Sequence, residues 1–368
     1  MNIASVELFV ISMPLKSPFI THLGEVRERE GIIIKITDKD GVAGYGEGVA
    51  FSSPWYTEET VKTSLHMLED FLIPLLKNHP IQHPHEAAVL FQSIRRNQMA
   101  KAGLEMALWD LYAKCQGQPL GKIMGGTRQA IASGVVVASD SIPNALRQIE
   151  DYLKDGYQRI KVKISPKQDE KLLKEIRRQY PKLPIMADAN SAYTLKDIDR
   201  LKALDEFNLL MIEQPLAHDD LIEHAILQEK LGTPICLDES IVTFEDARKA
   251  IEIDSCRVIN IKIGRVGGLY EAKRIHDYCC NRGIPVWCGG MIEFGISRAH
   301  NIALASLPGF SIPGDISASS RFWDEDIISP EVVVKNGIVS VPESSGIGFE
   351  LNEKRLKQVL LAKKIFSF

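Results

Sequence analysis

Five ionisable residues recur at nearly constant intervals through the second half of the chain. Each stands at the end of a short apolar run, and the intervals between neighbours are 25, 25, 25 and 24 residues; the five are Lys163, Asp188, Glu213, Asp238 and Lys262. An interval of this length fits one β-strand, one helix and their connections. The five side chains are therefore predicted to stand at equivalent ends of five consecutive parallel strands and to converge on one mouth.

The surrounding pattern extends this repeat to a barrel. Eight apolar runs alternate with helical segments; the runs cover 131–137, 159–164, 184–187, 209–212, 234–237, 258–261, 284–288 and 310–313. The helical segments between them cover 143–154, 167–179, 195–207, 219–231, 244–251, 268–282 and 296–306. Eight strands of this kind can close a parallel sheet, so we predict an α/β chain with a (β/α)7β TIM-like barrel over residues 126–324.

Residues 1–125 follow a different order, with strands first and helices afterwards. The strands are predicted at 3–11 and 31–37, and the helices at 58–77, 84–96 and 98–115, the last with Leu104, Leu108 and Leu111 on one apolar stripe. The glycine-rich stretch 41–48 lacks the G-x-G-x-x-G spacing of a dinucleotide loop, and no helix follows it at once, so a hairpin is the better interpretation. This order predicts an α+β capping domain.

The tail, residues 325–368, is expected to complete the capping domain. Asn336-Gly337 stands between two short apolar stretches, 332–335 and 338–341, and is a strong signal for a two-residue hairpin. We expect this hairpin to rejoin the N-terminal domain.

Composition and charge exclude several classes of protein. Lys and Arg number 44 against 48 Asp and Glu, a net charge of -4, which argues against nucleic-acid binding because such proteins are usually basic. No run of 18 apolar residues is present, so no membrane span is expected. Residues 1–15 lack the basic start of a signal peptide. The six cysteines are scattered and form no C-x-x-C pair, which predicts free thiols in the cytoplasm.

The carboxylates at the predicted mouth indicate a metal site. Asp188, Glu213 and Asp238 offer oxygen ligands without a nearby His or Cys, a set that suits Mg²⁺, or Mn²⁺ in its place, rather than Zn²⁺. At any single position, a charge at a strand end is usually solvated or caps the next helix. Five charged residues in the same register make that structural interpretation hard to sustain.

The lysines add a base to this site. Lys161 and Lys163 are two residues apart and so share one face of their strand, while Lys262 stands on the far side of the metal. A lysine near a divalent cation and other ammonium groups has a lowered pKa and can act as a general base at neutral pH. Such a site suits removal of a proton α to a carboxylate, with the metal stabilising the enediolate.

This combination resembles the muconate-lactonizing subgroup of the enolase superfamily, whose pattern is a metal triad with K-x-K and a later lysine. Residues 102–110, 118–120 and 125–126 look like that family's pre-barrel segment. Gly289-Gly290-Met291-Ile292-Glu293, residues 297–301 and Pro313-Gly314-Asp315 resemble the Firmicute-type o-succinylbenzoate synthases and N-succinylamino-acid racemases.

The resemblance implies a role for each lysine. Lys163 would remove the α-proton of 2-succinyl-6-hydroxy-2,4-cyclohexadiene-1-carboxylate and then protonate the departing hydroxide on the same face, giving o-succinylbenzoate on the menaquinone route. Lys262 would stabilise the intermediate electrostatically, and Lys161 would assist Lys163 and hold the substrate carboxylate. In a racemase, Lys163 and Lys262 would both act as acid and base. The catalytic set does not distinguish these reactions.

Arg265 resembles an arginine of the racemase-capable members and keeps a dual activity open; its alternative is a surface charge at a helix start. The mandelate-racemase branch would need a His after the seventh strand, and dipeptide epimerases carry D-x-D after the eighth, where this chain has only Asp315. A catalytically dead binding protein is the non-enzymatic alternative, and the intact set of lysines and carboxylates counts against it.

The resemblance also implies that loops near 18–30 and 50–57 reach the substrate. The expected substrate-binding residues are Phe19, Phe51, Trp55, Asn190, Arg265, Gly290, Met291 and Ile292, with His22 as a further candidate for the apolar wall. For the aromatic residues and His22, simple interdomain packing stays an open alternative. Three lysines, three carboxylates and a divalent ion leave a cationic mouth, which suits a small dicarboxylate substrate. The resemblance further implies a homo-oligomer.

Overall fold

The computed structural model describes residues 1–21, 24–139 and 141–368. Its strands are β1 Ile3–Thr21, β2 Gly24–Asp38, β3 Ala43–Gly48, β4 Ala130–Ala132, β5 Val135–Val137, β6 Ile160–Lys163, β7 Ile185–Asp188, β8 Ile212–Glu213, β9 Ile235–Leu237, β10 Val258–Ile261, β11 Val286–Cys288, β12 Ile328–Ser329, β13 Ile338–Ser340, β14 Glu350–Leu351 and β15 Leu360–Ser367. Its α-helices are α1 Val61–Met67, α2 Ile73–Asn78, α3 Pro84–Leu90, α4 Gln98–Cys115, α5 Leu120–Ile123, α6 Ile142–Lys154, α7 Asp169–Gln179, α8 Ile198–Ala203, α9 Ile222–Lys230, α10 Phe244–Glu252, α11 Ile263–Val266, α12 Leu269–Asn281, α13 Gly295–Ala305 and α14 Glu353–Val359.

The N-terminal part is an antiparallel sheet covered by helices. Its strand order is β15-β1-β2-β3, so the last strand of the chain lies beside the first. We call β1–β3, α1–α4 and the loops between them the cap. The predicted strands and the hairpin of residues 41–48 are confirmed, although β1 and β2 run well beyond the predicted limits because they pair with each other along nearly their whole length.

Helix α4 lies directly on the cap sheet because β3 carries glycines where the two meet. A Cβ atom at Gly44 would lie 2.3 Å from the carbonyl oxygen of Ala107, and one at Gly46 would lie 2.1 Å from that of Gly103. The helix is buried nearly all round, since α11 of the barrel packs against it as well. The prediction of a helix with a single apolar stripe was therefore wrong.

Gly46→Ala should lower the free energy of unfolding by about 3 kcal/mol, the upper part of the usual range for overpacking. The added methyl group would meet backbone atoms of α4, at Gly103 and Ala107, which cannot rotate aside. Gly48→Ala is the matched control in the same strand, because its Cβ would lie 3.4 Å from its nearest neighbour, Ile32. Urea unfolding of both variants measures the difference; equal losses would contradict this account of the glycines.

The second part is a parallel sheet that curls into a barrel. In the described chain its strand order is β11-β10-β9-β8-β7-β6-β5, which confirms seven of the eight predicted strands. The eighth run is not a regular strand: Phe310 forms a bridge to Val286 on one edge and Gly314 forms one to Ser133 on the other. This segment therefore joins the two edges of the sheet by single bridges.

The tail divides between the two parts. Asn336 and Gly337 have φ angles of 51° and 70°, as a tight two-residue turn requires, and Lys335 pairs with Ile338, so the hairpin is confirmed. Its second strand, β13, pairs with β4 at the entrance to the barrel, which corrects the expectation that it rejoins the N-terminal domain. The outer edge of β1 is already covered by β15.

Two buried carboxylates fasten the cap to the barrel. Glu105 on α4 accepts hydrogen bonds from the backbone N–H groups of Leu269 and Tyr270, at 2.7 and 2.9 Å, where α12 begins. Glu47 on β3 accepts from the first turn of α13 in the same way. Both therefore satisfy donors that a helix start leaves free, and they hold the cap over one end of the barrel.

The prediction of free thiols is confirmed. All six cysteines are free thiols, and of the adjacent pair Cys279 is buried while Cys280 is exposed. Across residues 1–21, 24–139 and 141–368, no helix has both the length and the apolar character needed to cross a membrane.

Candidate active site

The carboxyl ends of neighbouring strands bring the predicted residues together. Lys163 on β6 pairs with Asp188 on β7, and Asp188 pairs with Glu213 on β8, so these three are in the same register. The partner of Glu213 on β9 is Cys236, two residues before Asp238. A shift of two keeps a side chain on the same face of the sheet, so Asp238 still points to the same side as Glu213.

The next strand repeats this shift. Ile259 on β10 pairs with Leu237, which places Asn260 opposite Asp238 and leaves Lys262 two residues further along. Such a stagger is what strand tilt requires when a sheet closes into a barrel. The constant spacing in the sequence therefore identified the right face, but it hid Asn260, which contacts two of the carboxylates.

Two nitrogen groups link the three carboxylates into a continuous buried chain. Lys161 Nζ lies 2.8 Å from Asp188 Oδ2 and 2.7 Å from Glu213 Oε2. Asn260 Nδ2 donates to Glu213 Oε1 at 2.9 Å and to Asp238 Oδ1 at 3.1 Å. All five side chains are buried. The arrangement places the three carboxylates side by side on the floor of the mouth.

The other two lysines stand at the two ends of this chain. Lys163 Nζ donates to Asp188 Oδ2 at 2.7 Å and to Asn190 Oδ1 at 2.5 Å. Lys262 Nζ donates to Asp238 Oδ2 at 2.8 Å. The Lys163 side chain is 18% exposed, against 8% for Lys262 and 4% for Lys161, so Lys163 is the most accessible of the three lysines.

The surrounding charges control the protonation of the buried lysines. Burial alone would lower the pKa of Lys161, but the negative charges of Asp188 and Glu213 outweigh it and hold that pKa well above its ordinary value. Burial is likewise outweighed at Lys262, whose pKa is raised by its neighbours, Tyr56 first among them. In this arrangement the two lysines supply the positive charge that the buried carboxylates need.

The donor set fits a hard divalent cation. Within the described residues, Glu213 Oε2 and Glu239 Oε2 are buried without a hydrogen bond, although Glu213 Oε2 lies in an ion pair with Lys161. Burial and the charge of Asp188 raise the pKa of both glutamates, and a cation would relieve this repulsion. Among the described residues, no group of three or more His, Cys, Asp or Glu side chains is already arranged to hold a metal ion. Since like charges repel, a cation would displace the ammonium group of Lys161 from at least one carboxylate.

Arg265 lies beneath this floor and not on the surface. Its side chain is 1% exposed, and its guanidinium forms an ion pair with Asp238 and donates to the carbonyl oxygens of Ile241 and Asn260. The interpretation as a surface charge at a helix start was wrong. The arginine instead fixes the carboxylate next to Lys262.

Tyr56 is a functional candidate that the sequence did not single out. It lies in the cap, yet its hydroxyl is 2.9 Å from Lys262 Nζ and 3.3 Å from a guanidinium nitrogen of Arg265. The loop near 50–57 was predicted to reach the site, but only Phe51 and Trp55 were chosen from it, as parts of an apolar wall. Through this hydroxyl, Tyr56 of the cap touches a lysine of the mouth directly.

Asp315 is a second residue whose place the sequence did not reveal. It follows the bridging segment of the barrel and lies 2.7 Å from Arg159 and 3.3 Å from Lys161. Burial opposes its charge, but Arg159 and Lys161 lower its pKa to about 2. A single Asp after the bridging segment thus gives Lys161 a third carboxylate partner, beside Asp188 and Glu213.

A cavity lies above this floor, between the cap and the barrel. The predicted residues that line it are Lys161, Lys163, Asp188, Lys262, Asn190, Phe19, Phe51, Trp55, Gly290, Met291 and Ile292. Glu213, Asp238 and Arg265 are not among its lining residues, and His22 lies outside the described residues. Residues that line it without having been predicted include Tyr56, Val136, Glu293, Asp315, Ser317 and Arg321. The cavity is therefore charged at its floor and apolar along its cap side.

Comparison with known proteins agrees with this geometry. Residues 4–125 match the family described as mandelate racemase / muconate lactonizing enzyme, N-terminal domain, and residues 144–355 match the family described as enolase C-terminal domain-like. The chain belongs to the enolase superfamily. Members of this superfamily bind a divalent metal ion.

Individual relatives cover the whole chain. An o-succinylbenzoate synthase of Geobacillus stearothermophilus is 56% identical over 99% of this chain and 98% of its own. An N-succinylamino acid racemase of Thermus thermophilus is 44% identical over 100% of both chains. A crystal structure of an enolase superfamily member from Listeria innocua superposes with a TM-score of 0.97 at 42% identity, covering 100% of this chain and 99% of the other.

Proposed function

We propose that this protein is an o-succinylbenzoate synthase. It converts 2-succinyl-6-hydroxy-2,4-cyclohexadiene-1-carboxylate to 2-succinylbenzoate and water, on the route to menaquinone. The observation that carries this proposal is the buried row of three carboxylates with Lys163 at one end and Lys262 at the other, beside the cavity between cap and barrel. The o-succinylbenzoate synthase of Geobacillus stearothermophilus, 56% identical to this chain, supports the choice of reaction.

Lys163 carries out both proton transfers in this mechanism. As a neutral amine it takes the α-proton of the substrate, and as an ammonium group it gives a proton to the departing hydroxide, which leaves as water from the same face. Its greater exposure among the three lysines supports this assignment. Lys262 stabilises the negative charge of the intermediate from the other end of the row, and Lys161 holds the substrate carboxylate and assists Lys163.

Asp188, Glu213 and Asp238 would hold the divalent ion, which we propose is Mg²⁺, with Mn²⁺ as a substitute. When bound, the ion neutralises charge that develops on the substrate carboxylate as the α-proton leaves. The chain's own residues prepare that position: Asn260 orients Glu213 and Asp238, and Arg265 fixes Asp238 from below.

A racemase activity on N-succinylamino acids is the second candidate. The two lysines at opposite ends of the carboxylate row favour it, since one could remove an α-proton and the other could return it to the opposite face. Arg265, buried against Asp238 beside Lys262, supports this alternative, and the Thermus relative carries the racemase name. We therefore keep the dual activity open.

We also infer a division into a capping domain, residues 1–125, completed by the end of the tail 325–368, and a barrel domain, residues 126–324, against which the hairpin of the tail packs. The pairing of β15 with β1 supports it for the end of the tail. We infer a homo-oligomer acting in the cytoplasm on a small dicarboxylate; six free thiols support the compartment.

Offering both substrates to the purified protein with Mg²⁺ tests the choice of function. We expect formation of the aromatic product, followed by its ultraviolet absorbance, and we measure racemisation separately by polarimetry with an N-succinylamino acid. Efficient dehydration without racemisation would remove the dual activity. Racemisation without dehydration would overturn the synthase assignment in favour of the racemase.

A further inference from the structure

A small apolar cluster, separate from the main core, forms the roof of the cavity. Its buried members are Val49, Ala50, Phe51, Met99, Met291 and Ile292. We call this set the roof cluster. Three members belong to the cap loop after β3 and two to the loop after β11, so the roof is built from both parts of the molecule. Phe51, Met291 and Ile292 also line the cavity, which makes the position of both loops a property of the binding site.

One buried guanidinium connects the two loops. Arg29 on β2 is 1% exposed and donates to the carbonyl oxygens of Val49 at 2.5 Å and Ala50 at 2.7 Å on the cap side. Its Nε donates to the carbonyl oxygen of Ile292 at 3.2 Å on the barrel side. The guanidinium carbon also lies 4.4 Å from the centre of the Phe51 ring. A planar group with five donors is suited to hold several carbonyl groups at once.

The barrel loop needs such a fastening because its backbone is strained. Ile292 has a φ angle of 55°, a left-handed conformation that a β-branched residue rarely adopts. Conformations of this kind cost on the order of 1–3 kcal/mol and persist only where the surroundings impose them. Besides Arg29, the carboxylate of Glu293 holds this loop by accepting a hydrogen bond from the N–H of Met291.

The charge of Arg29 is compensated from both sides. Burial lowers its pKa to about 10, while the carboxylates of Glu47 and Glu293 favour the charged form. At neutral pH the guanidinium therefore stays protonated and keeps all its donors. The carboxylate of Glu47 in turn accepts hydrogen bonds from the backbone N–H groups of Phe294 and Ser297. Glu47 therefore connects Arg29 to the start of α13.

We propose that Arg29 is a positioning residue that fixes the roof cluster and thereby selects substrates by the size of the apolar group held beneath it. This inference rests on the proposed function, since the substrate classes are those of that site. Arg29 does not line the cavity, so it acts through Phe51 and Ile292. Binding energy from the non-reacting part of a substrate depends on such a fixed wall.

The test compares Arg29→Gln and Arg29→Lys with a control at another arginine. Arg177 is the matched control: it donates to the carbonyl oxygens of Leu183, Phe207 and Asn208, near the amino ends of the strands and away from the cavity. Arg177→Gln should lower the melting temperature without changing the choice of substrate. This separates lost stability from lost positioning.

Kinetics with two N-succinylamino acids, one with a large apolar side chain and one with a small one, test whether the roof cluster is held in place. In Arg29→Gln we expect KM for the larger substrate to rise roughly tenfold while kcat changes by less than about threefold, because uniform binding is lost and the chemistry is kept. The preference for the larger substrate should fall, and Arg29→Lys should restore part of it. An unchanged preference in Arg29→Gln would overturn the proposal.

Hydrogen exchange gives a readout that does not depend on turnover. Amides of residues 291–294 should exchange faster in Arg29→Gln and at the wild-type rate in Arg177→Gln; equal rates in all three proteins would contradict the proposal. If the wild-type protein acts on neither substrate class, the proposed function fails. Amide hydrogen exchange of residues 291–294 then still tests whether Arg29 positions the loop.

Discussion

Lys163→Ala should lower both dehydration and α-proton exchange by roughly 10²–10⁴-fold, the usual contribution of a general acid–base group. Both reactions begin with removal of the α-proton, and that step is assigned to Lys163. The substitution should therefore slow dehydration and exchange together. The fold should persist, because Asp188, the carboxylate that Lys163 contacts, keeps its ion pair with Lys161. Steady-state kinetics on both substrates, with circular dichroism as a check on folding, measure the effect.

Lys182→Ala is the control for this substitution, because Lys182 is exposed on the surface between α7 and β7. It should keep wild-type rates. If Lys163→Ala retained dehydration at the wild-type rate, the assignment of the base would be wrong. The second acid–base candidate at the site, Lys262, would then have to take over that role.

Glu213→Gln should remove most of the stabilisation by Mg²⁺. A ligand present at 100 times its dissociation constant stabilises a protein by about 2.7 kcal/mol, and the wild type should show a shift of this order in thermal unfolding. The substitution keeps the shape of the central side chain but removes one of three negative charges. Since burial and Asp188 already raise the pKa of Glu213, the neutral form should be tolerated in the metal-free protein.

Glu206→Gln makes the same chemical change on the exposed surface and should leave the response to Mg²⁺ intact. Thermal unfolding with increasing Mg²⁺ compares the two variants with the wild type. A full response to Mg²⁺ in Glu213→Gln would show that the ion is held elsewhere.

The spacing of charged residues predicted the mouth of the barrel because one strand and one helix take up a nearly constant length of chain. It placed Lys163, Asp188 and Glu213 in the register that the structure shows. It could not show the shifts of two residues at Asp238 and Lys262, which come from the tilt of the strands. The shift places Asn260, and not Lys262, opposite Asp238. Asn260 was not predicted because it lies inside the apolar run 258–261.

Contacts between distant parts of the chain were harder to predict. Tyr56 reaches Lys262 across the boundary between cap and barrel, and no local pattern indicates which aromatic residue of a loop points down. The prediction of a single apolar stripe on α4 was wrong because a further face of this helix packs against α11. The spacing of apolar residues within α4 does not indicate such a contact. The glycines of β3 were correctly assigned to a hairpin, but their close approach to this helix appeared only in three dimensions.

Exchange of the substrate α-proton for deuterium in D₂O tests the central claim most directly. With Mg²⁺ present, the wild-type protein should introduce deuterium at the α-carbon of an N-succinylamino acid, as followed by proton NMR. Exchange should stop when EDTA removes the metal and return when Mg²⁺ is restored. Exchange that continues undiminished in EDTA, or no exchange together with no binding of Mg²⁺, would contradict metal-assisted proton abstraction by the lysines of this site.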